Sequence, residues 1–139
     1  MEAVGRKRLD FVDYLVANAS KLGIDVNVRD RRGANALHYA ASVGSVEIFQ
    51  RLLAAGCGMM ADDRGRTVLM QAAAGKHLAL VQYLISNRDT LDLQLDAVDD
   101  NGRDVLFSWS VLCVSCLALD QFYLFCLMLQ IRLIKQSIC

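Results

Sequence analysis

The hydrophobic pattern of this chain is helical, and it repeats. Between residues 46 and 53, Val46, Phe49, Leu52 and Leu53 lie three and four apart, which gathers them into one stripe along a helix. The stretch before it is different in kind: Ala40, Ala41 and Gly44 are small and cannot form a core by themselves. The same order returns at an offset of 32 residues, which carries Gly33 to Gly65, Leu37 to Leu69, Ala40-Ala41 to Ala72-Ala73, Val46 to Leu78, Ile48-Phe49 to Leu80-Val81 and Leu52-Leu53 to Leu84-Ile85. A hairpin of one small helix and one apolar helix cannot cover its own apolar face, whereas a neighbouring copy can. The pattern therefore predicts an all-α solenoid of stacked helix-turn-helix units.

Polar residues punctuate each unit at fixed places. DRRG (residues 30–33) and DDRG (62–65) read as tight turns, with Asp suited to the first position and Gly to a positive φ. Asn35 and Thr67 follow as helix N-caps, where a side-chain oxygen satisfies a free backbone N–H. Val43-Gly44 and Gly75-Lys76 fall between the two helices of each unit.

On these residues the chain resembles the ankyrin repeats. The family pattern of Asp, two variable residues, Gly, one variable residue, Thr-Pro-Leu-His and an Ala pair is matched by Asp30, Gly33, Leu37, His38, Ala40 and Ala41. It is matched again by Asp62, Gly65, Thr67, Leu69, Ala72 and Ala73. The departures are Asn35-Ala36 for Thr-Pro, Val68 for Pro and Met70 for His. Losing Pro weakens a helix start without excluding it. Upstream, Phe11, Val12, Leu15 and Val16 resemble the second helix of an earlier repeat, and Asp25-Val26-Asn27 its exit loop. Downstream, Asp99, Gly102, Asp104 and Leu106 open a further unit at an offset of 37, because LDLQLDA lengthens the loop before it. The expected organisation is a half repeat over 9–29, repeats over 30–61 and 62–98 and a broken repeat over 99–107, with a hydrophobic helical tail over 108–139.

The resemblance implies a non-catalytic module, an adaptor or scaffold, that binds another protein on a concave surface of turn tips and first helices. The variable positions that carry recognition in the family fall here on Arg31, Arg32, Ala34, Ser42 and Val43 in the first copy. In the second they fall on Asp63, Arg64, Arg66, Ala74 and Gly75, and in the third on Asp100, Asn101 and Arg103. Tip charge runs from basic through mixed to more acidic, and the expected partner carries the complementary gradient. His38 is implied to tie adjacent repeats by hydrogen bonds.

The pattern breaks after Leu106, where the Ala pair is replaced by Trp109 and Ser110. Residues 105–131 carry a single charge, Asp120. Three readings stand: a cap on the last repeat, a membrane anchor flanked by Arg132 and Lys135, or an unrelated terminus on a truncated isoform or fragment of a longer ankyrin protein. A charge mid-span costs about 2.5–3.5 kcal/mol on insertion scales, which weighs against the second.

Composition changes this picture little. Fifteen basic and fifteen acidic residues cancel, which argues against nucleic acid as the partner. Five Cys, an odd number, point to reduced thiols and a cytoplasmic chain. The basic triplet Arg6-Lys7-Arg8 and the run from 29 to 32 would read as a nuclear signal only if the acids between them are ignored. Asp10 and Asp13 interrupt the segment that would have to be a signal-peptide core. No cofactor or metal is expected. Cys113, Cys116, Cys126 and Cys139 match no common zinc spacing, and Gly75-Lys76 lacks the rest of a phosphate loop. His77 has no catalytic partner nearby in sequence, and Asp62-Asp63 and Asp99-Asp100 read as solvated turn residues.

Overall fold

The computed structural model describes residues 9–105, 107, 132, 133 and 136. Six helices follow in order: α1 (Leu9–Ala17), α2 (Ala19–Leu22), α3 (Ala36–Val43), α4 (Val46–Ala54), α5 (Val68–Ala74) and α6 (Leu78–Ser86). Among the described residues there is no strand. The helices form two rows. The small ones, α3 and α5, pack on each other, while α4 packs against α1 on one side and α6 on the other. Within each unit α3 packs on α4 and α5 on α6. Helix α1 thus sits in the row of second helices, as its apolar stripe predicts.

The small residues set the spacing of the first row. Ala40, Ala41, Ala72 and Ala73 are all fully or almost fully buried, and their small side chains permit the close packing of α3 on α5. The large side chains fill the space between rows: Leu37, Phe49, Leu69, Leu80, Val81 and Leu84 have no exposed surface. Phe49 meets Tyr83 of the next unit edge to face, with ring centres 6.3 Å apart and planes at 76°, the arrangement that ring quadrupoles favour.

Helices α3 and α5 start where their expected caps place them. The Asn35 side chain accepts from the N–H groups of Leu37 and His38, and Thr67 Oγ1 accepts from Met70 N–H. The inter-helix turns are less uniform than their glycines suggest. Gly44 ends α3 at φ 73°, but in the second copy Gly75 has an ordinary φ of −77° and Lys76 takes the left-handed position at φ 59°. The upstream stripe, Phe11 to Val16, falls wholly within the first helix. α1 stops at Ala17, and Asn18, whose side chain donates to Tyr14 C=O, separates it from the single turn of α2.

The lengthened loop after α6 is folded back onto the stack. Leu95 is buried in it, and Leu91, Leu93 and Ala97 are half-buried against the core. It delivers the third turn, residues 99–102, and Val105 beyond it is buried. Among the described residues no helix is long and apolar enough to cross a membrane. Residues 108–131, on which the cap, anchor and appended-terminus readings rest, lie outside the described residues.

Candidate functional site

The candidate surface begins at one turn built three times. In each copy an Asp carboxylate reaches forward over its own turn. Asp30 Oδ1 accepts from the N–H of Arg32 and Ala34, Asp62 Oδ1 from Arg64 and Arg66, and Asp99 Oδ1 from Asn101 and Arg103, all at 2.8–3.0 Å. The Gly N–H closes the turn on the Asp carbonyl in all three. Five donors or acceptors per turn are thereby satisfied without help from solvent, which makes the tips rigid.

The second carboxylate oxygen has a partner that changes between copies. Asp62 Oδ2 takes Arg66, and Asp99 Oδ2 takes Arg103, each through Nε and Nη2 at 2.7–2.9 Å. The equivalent residue in the first copy is Ala34, and there the Tyr39 hydroxyl donates to Asp30 Oδ2 at 2.7 Å. These bonds favour the ionised carboxylates. The Arg103 guanidinium, helped by two backbone N–H groups, holds Asp99 down at about 2. The Tyr39 hydroxyl lowers Asp30, and its own pKa rises in return. Burial pushes Asp62 up, but Arg66 and the turn N–H groups outweigh it, and the net shift is downward.

Successive turns are joined through their backbones. Asp63 N–H donates to Arg32 C=O at 3.0 Å, and Asp100 N–H donates to Arg64 C=O at 2.9 Å. Arg29 adds a side-chain link from the first turn to the second, donating to Gly33 C=O and Ala61 C=O and pairing with Asp63 at 3.3 Å. A Cβ on Gly33 would strike this Arg29–Asp63 pair.

Both histidines tie the first unit to the second. His38 Nε2 contacts Arg66 C=O at 3.2 Å, and since a carbonyl can only accept, Nε2 carries the proton. Nδ1 faces Asn35, 3.4 Å from its N–H and 2.9 Å from its Oδ1, and the contact with the N–H completes a capping box. Burial lowers the His38 pKa and so favours this neutral form. Met70 stands at the matching place in the second copy and is simply buried. His77 Nε2 donates to Ser42 C=O at 2.8 Å, and its ring lies where a Cβ on Gly44 would be. The Asn35 amide also donates to Gly58 C=O, and Asn27 bonds the backbone of Gly56 and Gly58, so the half repeat is tied to the first unit in the same manner. The buried Cys57 Sγ donates to Val26 C=O, and burial raises its pKa, which keeps it a thiol.

Most of the expected recognition residues are exposed. Arg31, Arg32, Ser42, Asp63, Arg64, Ala74, Gly75, Asp100 and Asn101 are exposed, and Ala34 and Val43 are half-buried. Arg66 and Arg103 are also half-buried, with guanidinium groups turned inward onto Asp62 and Asp99. Arg32, Ala34, Ser42 and Arg66 come together around a shallow cleft of about 140 Å³, with Tyr39 and Gln71 on its walls. Three participants escape a reading of the sequence: Tyr39, Arg29 and His77. Each acts on a residue far along the chain or in place of a different residue type, and only the repeat register could have suggested them. Among the described residues no group of three or more His, Cys, Asp or Glu could hold a metal ion, and Cys113, Cys116, Cys126 and Cys139 lie outside them.

The family model described as "Ankyrin repeats (3 copies)" matches residues 1–97. Protein fem-1 homolog A of Bos taurus is 40 % identical over 72 residues, which is 52 % of this chain and 11 % of that protein. The human protein of the same name is 41 % identical over 66 residues, 48 % of this chain and 10 % of its own length. Ankyrin repeat domain-containing protein 63 of Homo sapiens is 35 % identical over 85 residues, 60 % of this chain and 22 % of its length. The chain thus spans less than a quarter of each of these curated relatives.

Proposed function

Because this chain belongs to the ankyrin-repeat family, we propose that it is a non-catalytic adaptor or scaffold that binds a protein partner across its turn tips and first-helix face. One observation supports this most directly. The tips are held in register by backbone bonds from Asp63 to Arg32 and from Asp100 to Arg64, so side chains at the tips are left to face outward. Rigid, exposed and variable positions on a fixed scaffold are what recognition without chemistry requires. The contact set is Arg31, Arg32, Ala34, Ser42, Val43, Asp63, Arg64, Arg66, Ala74, Gly75, Asp100, Asn101 and Arg103.

The test is partner capture by three forms of the chain. Arg31→Glu with Arg32→Glu changes the tips, and Glu47→Lys with Gln50→Lys changes exposed positions on α4, away from them. A partner recovered by the wild type and the α4 variant but lost from the tip variant supports the assignment. Equal recovery by all three sinks it. An anchored version of the same adaptor draws on residues 105–131 and their single charge. It predicts a carbonate-resistant membrane fraction, and full release by carbonate overturns it.

A further inference from the structure

The ion pairs on the tips leave a simple remainder. Asp62 is taken by Arg66, Asp99 by Arg103, Asp63 by Arg29, and Asp30 by Tyr39 and two backbone N–H groups. Arg31, Arg32 and Arg64 are exposed and form no ion pair among the described residues, although Arg32 lies close enough to Asp30 to stabilise its charge. With Asp63 neutralised, the second tip is basic rather than mixed. Only the third tip, Asp100 and Asn101, is of opposite character.

Two of these three arginines, Arg32 and Arg64, are equivalent by construction. Each is the third residue of its turn, and the carbonyl of each accepts from the next turn, Arg32 C=O from Asp63 N–H and Arg64 C=O from Asp100 N–H. They therefore repeat at the pitch of the stack. Helices α3 and α5 pack side by side, and packed helices lie roughly 8–10 Å apart. A peptide in the extended polyproline II conformation advances roughly 3.1 Å per residue and returns to the same face every third residue, so three residues cover one step of the stack. Resting on the adaptor reading above, the geometry points to an extended acidic polypeptide segment as ligand, with carboxylates three residues apart, one on Arg32 and the next on Arg64. The place three residues further on faces Asp100 and Asn101 and takes a neutral or basic residue. Beside Arg32 the cleft offers the Ser42 hydroxyl oxygen and the Gln71 amide to the peptide backbone. A nucleic acid fits less well: three arginines beside an aspartate on a chain of zero formal charge give a short strip, not a track.

Fluorescence anisotropy of the full chain with labelled short peptides tests this. A Glu-x-x-Glu-x-x-Lys peptide is expected to bind about tenfold more tightly than one of the same composition with adjacent glutamates, and to weaken as salt is raised. Arg32→Glu with Arg64→Glu should abolish that binding and accept Lys-x-x-Lys instead, with circular dichroism confirming that the fold is kept. Equal affinity for both acidic peptides, no binding of either, or equal binding of single-stranded DNA overturns the proposal. Partner capture that still depends on Arg31 and Arg32 in such a case leaves the adaptor reading standing, and loss of both results removes both.

Discussion

Single side chains settle how closely neighbouring units can sit. Gly44 needs its lack of a Cβ twice, once for φ 73° and once because the His77 ring occupies the space. Gly44→Ala should therefore destabilise by about 2 kcal/mol, measured as a shift in the urea midpoint at constant slope. Adding His77→Ala removes the overlap but not the strain, so the double variant should lose less than the two single losses summed. The first turn offers a second comparison at this scale. Tyr39 supplies to Asp30 what Arg66 and Arg103 supply to Asp62 and Asp99. Tyr39→Phe should lower the melting temperature, and Ala34→Arg placed on top of it should recover part of the loss by restoring the arrangement of the other two turns. If Ala34→Arg gives no recovery, the two solutions are not interchangeable.

Elements respond to pH in two separate windows. His38 has its pKa lowered by burial, so its contribution to stability is complete above about 6.5 and falls away as pH drops below that value. The turn carboxylates are also lowered, Asp99 to about 2. Their contribution is complete above about 3.8 and is lost as pH falls toward that lower value. Urea midpoints collected from pH 8 to pH 2 are expected to fall in two limbs. His38→Gln should remove the limb near 6.5 and leave the acid one, and an unchanged upper limb would assign it to another group. How much of this was legible in the sequence differs by element. Helices α3 to α6 were, because their caps, small pair and apolar stripe are local and recur at 32 residues. The His38 tie was expected from the family resemblance. The break at Asn18 was not, because it lies beyond the apolar stripe and the bond from its side chain to Tyr14 C=O leaves no mark in the hydrophobic pattern. The left-handed turn residue of the second unit is Lys76, at the place the 32-residue offset gives to Gly44, although Gly75 beside it is the easier residue for that conformation. His77 on Ser42 spans 35 residues, and no local pattern announces such a bond.

At the scale of the molecule, each unit touches only its neighbours, so protection should be graded along the stack. Hydrogen exchange followed by mass spectrometry should find the slowest amides in α3 to α6, where Leu37, Phe49, Leu69 and Leu84 are fully covered. The fastest among the helices should be those of α2, which buries none of its residues. Uniform protection would mean that the stack opens as a single block. One feature bears on how such a chain can change over generations. The joints between turns are made by main-chain N–H and C=O groups, Asp63 to Arg32 and Asp100 to Arg64, and every residue except proline owns both. The side chains at positions 31, 32, 64, 100 and 101 can thus be exchanged without loosening the joint beneath them. Selection can rewrite which surface this protein greets while the architecture that presents it stays in place.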